Sequence, residues 1–261
     1  MRLRMWMAMA VVGLSLLAPG AMAQNAPLRV LASRGMQAVI EDLQAQAERE
    51  AGRKTAIQYS SSTDLKARIA AGEGFDVAIV TTDLMDELIK NGLVAAGTRV
   101  DVARAGIGVG IRAGAPKPDI KTSDAMKQTL LKAKAVTYAQ DGASRAGVER
   151  MFDRMGIQAE MAKKLMLEQG SPKATGLVAD GKAEIVLTLQ SEILPVRGIE
   201  LVGPLPAEHQ NYIAFSAGAA AKAADAAAAK KFVQFFGKAD VAPVLKAKGM
   251  EAVGKAAAAG H

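Results

Sequence analysis

Leu28-Arg29-Val30-Leu31-Ala32-Ser33-Arg34-Gly35-Met36 carries the pattern that decides the fold. Leu28 to Ala32 reads as an apolar strand, Ser33-Arg34-Gly35 turns the chain, and Met36, Val39, Ile40, Leu43 and Ala47 then recur at helical spacing on one face. The same junction returns at Tyr59-Ser60-Ser61-Ser62-Thr63, at Asp141-Gly142-Ala143-Ser144-Arg145-Ala146 and at Gln169-Gly170-Ser171-Pro172. A strand that runs straight into a helix, repeated, argues for α/β layers. Each helix start offers free backbone N–H groups and the positive end of a dipole. In open α/β sheets such starts gather at the carboxyl ends of the strands, where ligands bind.

Working outward, Thr55 to Tyr59, Asp76 to Val80, Ala135 to Tyr138, Glu184 to Leu189 and Tyr212 to Ala217 read as further strands. Leu65 and Ile69 stripe one intervening helix; Leu84, Leu88 and Ile89 stripe another, and Val148, Phe152 and Met155 a third. Val100 to Arg112 is a long strand whose Gly106-Ile107-Gly108-Val109-Gly110 invites comparison with a nucleotide-binding loop. No helix opens behind it, and Pro116 and Pro118 follow, so a glycine-rich strand bending between two lobes is the reading adopted. Tyr212 to Ala217 passes back to the first lobe, and helices are expected over Ala220 to Phe236 and Ala239 to Lys248. The expected organisation is a first lobe over 24–104 and 208–261 and a second over 105–207, with a ligand cleft between them.

Ahead of these lobes, residues 1–23 read as an export signal. Arg2 and Arg4 are its basic end, Met5 to Leu17 its apolar stretch, and Ala21-Met22-Ala23 the small-residue cleavage site. The apolar stretch is shorter than the roughly 20 residues a membrane helix needs. No membrane insertion is therefore expected of the mature chain, and its place is the periplasm. The chain has no cysteine, which removes disulfides, thiolate metal sites and thiol nucleophiles. Its net charge of +7, two units of it in Arg2 and Arg4, is spread along the sequence with few aromatics. That distribution excludes a nucleic-acid patch and suits a small anion. His209 and His261 are the only histidines, so no metal or other cofactor is expected.

The junctions supply the candidate contacts. Three consecutive hydroxyls at Ser61-Ser62-Thr63 exceed what one helix cap requires. Arg34 and Arg145 stand at helix starts, where a cation is disfavoured by the dipole unless a ligand holds it there. For Arg145 the plain alternative is an ion pair with Asp141 or Glu149. Ser33, Ser144 and Ser171 add hydroxyls, Gly35 and Ala146 backbone N–H groups, and Gln190 an amide. A serine hydrolase built on Ser144 and His209 is a rival reading. Its elbow lacks the closing glycine, because Ala146 stands there.

Leu28-Arg-Val-Leu-Ala-Ser33, Ser61-Ser-Thr-Asp-Leu65, Phe75-Asp-Val-Ala-Ile79, Gly92-Leu93, Arg145-Ala-Gly147 and Lys246-Ala-Lys-Gly-Met250 together resemble the periplasmic molybdate-binding proteins of ABC importers. The resemblance covers nearly the whole mature chain. It implies a type II periplasmic binding protein fold, two α/β lobes on a two-stranded hinge, acting as a monomer that hands an anion to a membrane permease. By the same resemblance Ser62 stands for a serine of the second loop and Ala146 for a backbone donor. Gly35 falls where the first-loop serine is expected, with Ser33 beside it. Ser171 takes a place that is usually apolar, and Leu189 replaces a tyrosine whose hydroxyl reaches the oxyanion. The family holds tetrahedral oxyanions by neutral hydrogen bonds. Two lost hydroxyls and two added arginines point instead to a di- or tricarboxylate, with molybdate or tungstate as the alternative and no enzymatic activity.

Overall fold

The computed structural model describes residues 26–253; the export signal, Trp6 and the tail from Ala256 to His261 lie outside them. β1 (Leu28–Ser33), α1 (Gln37–Ala51), β2 (Thr55–Ser60), α2 (Ser62–Ala70), β3 (Val77–Thr81) and α3 (Thr82–Lys90) alternate before β4 (Val100–Arg112). Beyond β4 come α4 (Ser123–Lys132), β5 (Val136–Ala139), α5 (Arg145–Arg154), α6 (Gln158–Ala162), β6 (Leu165–Glu168), α7 (Ser171–Ala179), β7 (Ile185–Leu189) and α8 (Gln190–Ile193). β8 (Ile199–Pro204), β9 (Tyr212–Ala219), α9 (Ala226–Phe235), α10 (Ala242–Ala247) and β10 (Met250–Ala252) follow.

The strands hydrogen-bond in the order β2-β1-β3-β9-β4-β7-β5-β6, with β8 and β10 also on β4. β1 pairs in parallel with β2 and β3, and β5 pairs in parallel with β6 and β7. β4 joins the two groups. Its first half, through Gly106, lies antiparallel to β9, and from Ile107 onward it lies antiparallel to β7. The return crossing fastens to the same point. Gln210 accepts the Ile107 N–H at 2.9 Å and donates to the Ile107 carbonyl at 3.0 Å. Leu205 N–H also reaches that carbonyl.

The glycines of β4 answer to packing. A methyl group at Gly108 would stand 2.8 Å from Gln190 Cγ and 2.8 Å from Leu201 Cδ1, and at Gly110 it would stand 2.7 Å from Val186 Cγ1. Only a strand without side chains on that face lets α8 and β8 lie so close.

The first lobe buries Val39, Ile40 and Leu43 of α1 against the aromatic face of α9, where Phe232 and Phe235 are fully enclosed. Asp76 locks this arrangement. Its carboxylate accepts the N–H groups of Arg29 and Ala224, and its carbonyl accepts that of Ala220. Those bonds hold 220–224 outside any helix, and Asp225 caps α9 through the Ala228 N–H. The helix expected from Ala220 therefore begins at Ala226. The one expected from Ala239 is a 3-10 turn (Ala239–Val241) followed by α10.

Candidate functional site

The two lobes meet where β1, β2, β5, β6 and β7 end. From the first lobe come Ser33, Arg34, Gly35, Ser61 and Ser62; from the second come Asp141 to Ala143, Gly170, Ser171, Leu189 and Glu192. They enclose about 10 Å³, room for no more than one water molecule. On one side this nook adjoins a chamber of about 340 Å³ lined by Arg34, Gln37, Glu41, Ser171, Ser191 and Glu192. On the other it adjoins an open mouth of about 430 Å³ lined by Arg34, Thr63, Asp64, Asp141 and Gln169. Arg34 borders all three spaces.

Local sequence explains these positions. Ser33 ends β1 in extended backbone, and a 3-10 turn (Arg34–Met36) leads into α1. Ser33 Oγ and Ser62 Oγ stand 3.2 Å apart, so the hydroxyls of the first two junctions meet. Ser61 caps α2, its Oγ accepting the Asp64 N–H at 3.1 Å, which leaves Ser62 the freer hydroxyl of the pair. Gly35 admits the core. A methyl group there would lie 2.5 Å from Phe215 Cζ and 3.0 Å from Leu189 Cδ1. Across the cleft Asp141 accepts the Gly170 N–H at 2.7 Å and fixes two second-lobe loops to each other.

Two charged groups dominate the electrostatics. Arg34 Nε is buried with no hydrogen-bond partner, and among the described residues Arg34 forms no salt bridge. A guanidinium N–H shielded from water and left unpaired is costly unless an anion completes it. Glu192 faces the nook from the second lobe. Ser171 Oγ donates to Oε1 at 2.8 Å, and Thr188 Oγ1 bonds to Oε2. Burial pushes its carboxyl above the usual range, against the opposing pull of these hydroxyls and of the Arg34 charge.

The structure brings Ser33, Arg34, Gly35, Ser61, Ser62 and Ser171 into the nook, and places the other expected contacts elsewhere. Arg145 is exposed, with Nε 2.8 Å from Glu149 and an Nη on the Gln140 carbonyl, and the Glu149 hydrogen bond raises its pKa. The ion pair is thus the arrangement observed, and it is made with Glu149 while Asp141 serves Gly170. Ser144 occupies the N-cap position of α5 with its hydroxyl buried and unpartnered; its neighbours Gly142 and Ala143 line the nook in its place. Ala146 lies exposed in the first turn of α5. Gln190 packs its chain over Gly108 of β4. For the hydrolase reading, His209 Nε2 stands 2.6 Å from Ser123 Oγ, while Ser144 Oγ has no partner. Glu192 carries no local signal as a site residue, and Asp141 stands in its junction only as a possible partner of Arg145. Arg145→Ala is expected to leave anion affinity within about twofold in calorimetry, because its exposed helical ion pair contributes little and touches no lining group.

The profile of the family described as bacterial extracellular solute-binding protein matches residues 28–251. A protein named aconitate isomerase, from a Pseudomonas species, is 32% identical over 232 residues, covering 87% of this chain and 88% of that one. The periplasmic molybdate-binding protein of Azotobacter vinelandii superposes with a TM-score of 0.72 at 18% identity, over 85% of this chain and 98% of its own. The sulfate-binding protein SubI of Mycobacterium tuberculosis H37Rv superposes with a TM-score of 0.67 at 20% identity, over 89% of each chain. At these identities the two structures establish the architecture, the two-lobed type II periplasmic binding fold. The family and these structural neighbours are binding proteins.

Proposed function

The chain belongs to the bacterial extracellular solute-binding proteins, and from that premise we propose that it captures a small polycarboxylate, of the tricarboxylate class, between its lobes. The observation that carries this reading is Arg34, half-buried, with its Nε shielded and unpartnered, bordering both the hydroxyl nook and the larger chamber. Its planar fork suits a carboxylate in two-pronged fashion. With the lobes parted, the space between Ser33, Ser62 and Ser171 would take one carboxylate head, and the remaining arms would extend toward the chamber of about 340 Å³. The relative named for an aconitate reaction supports the same ligand class. As a receptor the protein works in the periplasm, as a monomer, and delivers its ligand to a membrane permease of an ABC importer.

The aconitate isomerase name also favours a second reading, in which the bound acid is turned over. Cis and trans forms of an unsaturated tricarboxylate interconvert when one C–H bond beside a carboxylate breaks, its electron pair shifts the double bond, and a proton returns to the former alkene carbon. Glu192 is the cleft group placed to carry that proton.

A thermal-shift screen separates these readings. Cis-aconitate, trans-aconitate, citrate, molybdate, tungstate and sulfate are each added to the protein. A ligand at 100 times its dissociation constant stabilises the fold by about 2.7 kcal/mol, a readily measured rise in melting temperature. The expected result is a shift with tricarboxylates alone. A shift with molybdate or tungstate alone would overturn the reading. Proton NMR of the same aconitate samples reports turnover: interconversion supports the isomerase, and unchanged spectra leave the receptor.

A further inference from the structure

We infer that Glu192 is the proton-carrying wall of the anion site: it holds the ligand as a neutral acid, donating its own proton to a ligand carboxylate, so that capture of the polyanion takes up a proton. The inference rests on the carboxylate reading above and adds a selectivity device to it.

The geometry sets an acid beside an anion site without an ion pair of its own. Glu192 borders both the nook and the chamber, yet among the described residues no salt bridge joins it to Arg34 or to any other cation. Its side-chain contacts are neutral hydroxyls, Ser171 on α7 and Thr188 on β7, while the Leu189 backbone N–H also reaches the carboxyl and favours its ionised form. Hydroxyls both donate and accept, so they satisfy the carboxyl in either protonation state. The charged groups that share its spaces are few. Arg34 faces it from the turn before α1, Glu41 lines the chamber from α1, and Asp141 lines the nook from the loop before α5. Gln37, Thr175 and Ser191 complete the polar wall without charge. Arg34 is therefore the only cation in that surround that favours the ionised form.

An entering carboxylate takes the Arg34 fork and brings its own negative charge to the same wall. Both changes disfavour ionised Glu192, as happens when two carboxylates share a site. The bound-state pKa must then lie above the free-state value. The sign follows. Affinity is full below the free-state pKa, falls as pH rises through it, and levels off above the bound-state pKa. An anion whose carboxylate accepts a hydrogen bond is favoured over one presented to an ionised wall.

The experiment measures the dissociation constant of trans-aconitate by calorimetry between about pH 6.5 and pH 9.5, where the probe's carboxylates are ionised, for the protein and for Glu192→Gln. The wild type should lose affinity by up to tenfold per pH unit over part of this range and take up protons on binding. Glu192→Gln, whose amide donates at every pH, should give a flat profile and bind more tightly than wild type at the alkaline end. Profiles of equal slope would overturn the inference while the carboxylate reading stands. Failure of trans-aconitate, cis-aconitate and citrate to bind at any pH would overturn both. Carbon NMR of the Glu192 carboxyl in the unsubstituted protein tests the same point without a variant: its titration must move to higher pH when trans-aconitate is added, and an unmoved titration overturns the inference.

Discussion

Arg34→Ala is expected to weaken the proposed tricarboxylate binding roughly 10- to 150-fold, while the melting temperature of the unliganded protein holds or rises slightly. The factor follows from losing charge-assisted hydrogen bonds of about 1.5–3 kcal/mol at a shielded site. The stability half of the expectation comes from the free structure. Arg34 Nε is buried without a partner, so its removal ends a desolvation cost and breaks no ion pair. A residue that costs the free protein something and completes itself only with an anion is the signature of a binding group. Calorimetry and a melting curve on the same preparation check both halves. Retained affinity would return the site to its hydroxyls and favour molybdate. Intact affinity with lost stability would make Arg34 structural.

Arg34 and Arg145 looked alike in the sequence, each a cation at a helix start. What separates them is the partner one turn along the helix. Arg145 has Glu149 at i+4 and takes it, whereas the corresponding position after Arg34 is Ala38, which is buried. That difference was legible, and so was the alternation that builds the fold. β4 spans Val100 to Arg112, as its strand pattern indicates, because a central strand buried by both lobes has little freedom at its ends. β6, β8 and β10 were not read as strands. β6 and β8 are partly exposed and β10 is three residues long; the longest apolar run among them, Leu165-Met166-Leu167 of β6, is too short to mark a strand. The start of α9 was hidden for another reason: an alanine-rich stretch has strong helix propensity, but Asp76, far away in sequence, captures the N–H groups of Ala220 and Ala224. Glu192 was invisible by the same logic. Its hydroxyl partners Ser171 and Thr188 are brought to it by the fold of its own lobe, and its charged neighbour Arg34 comes from the other lobe.

Gly35→Ser restores the hydroxyl that the molybdate-binding resemblance expects at this position. It is expected to destabilise the protein by about 1–3 kcal/mol without creating an oxyanion site. The side chain has nowhere to go. Even its Cβ would stand 2.5 Å from Phe215 Cζ and 3.0 Å from Leu189 Cδ1, well inside contact distance. Phe215 is fully buried on β9, and Leu189 lines the nook from the end of β7, so the two apolar groups fill the space between them. By the molybdate-binding resemblance the absent serine and the absent tyrosine would then be one change. Leu189 and Phe215 close over Gly35, and the polar work of the first junction passes to Ser33 and Arg34. At about 2–4 °C per kcal/mol for a protein of this size, the melting temperature should drop by several degrees. Molybdate should produce no compensating rise. A variant as stable as the parent that also gains a molybdate shift would show that Phe215 yields easily. The departure from the oxyanion pattern would then be a single replaceable residue, and the carboxylate reading would lose its structural basis on that side of the cleft.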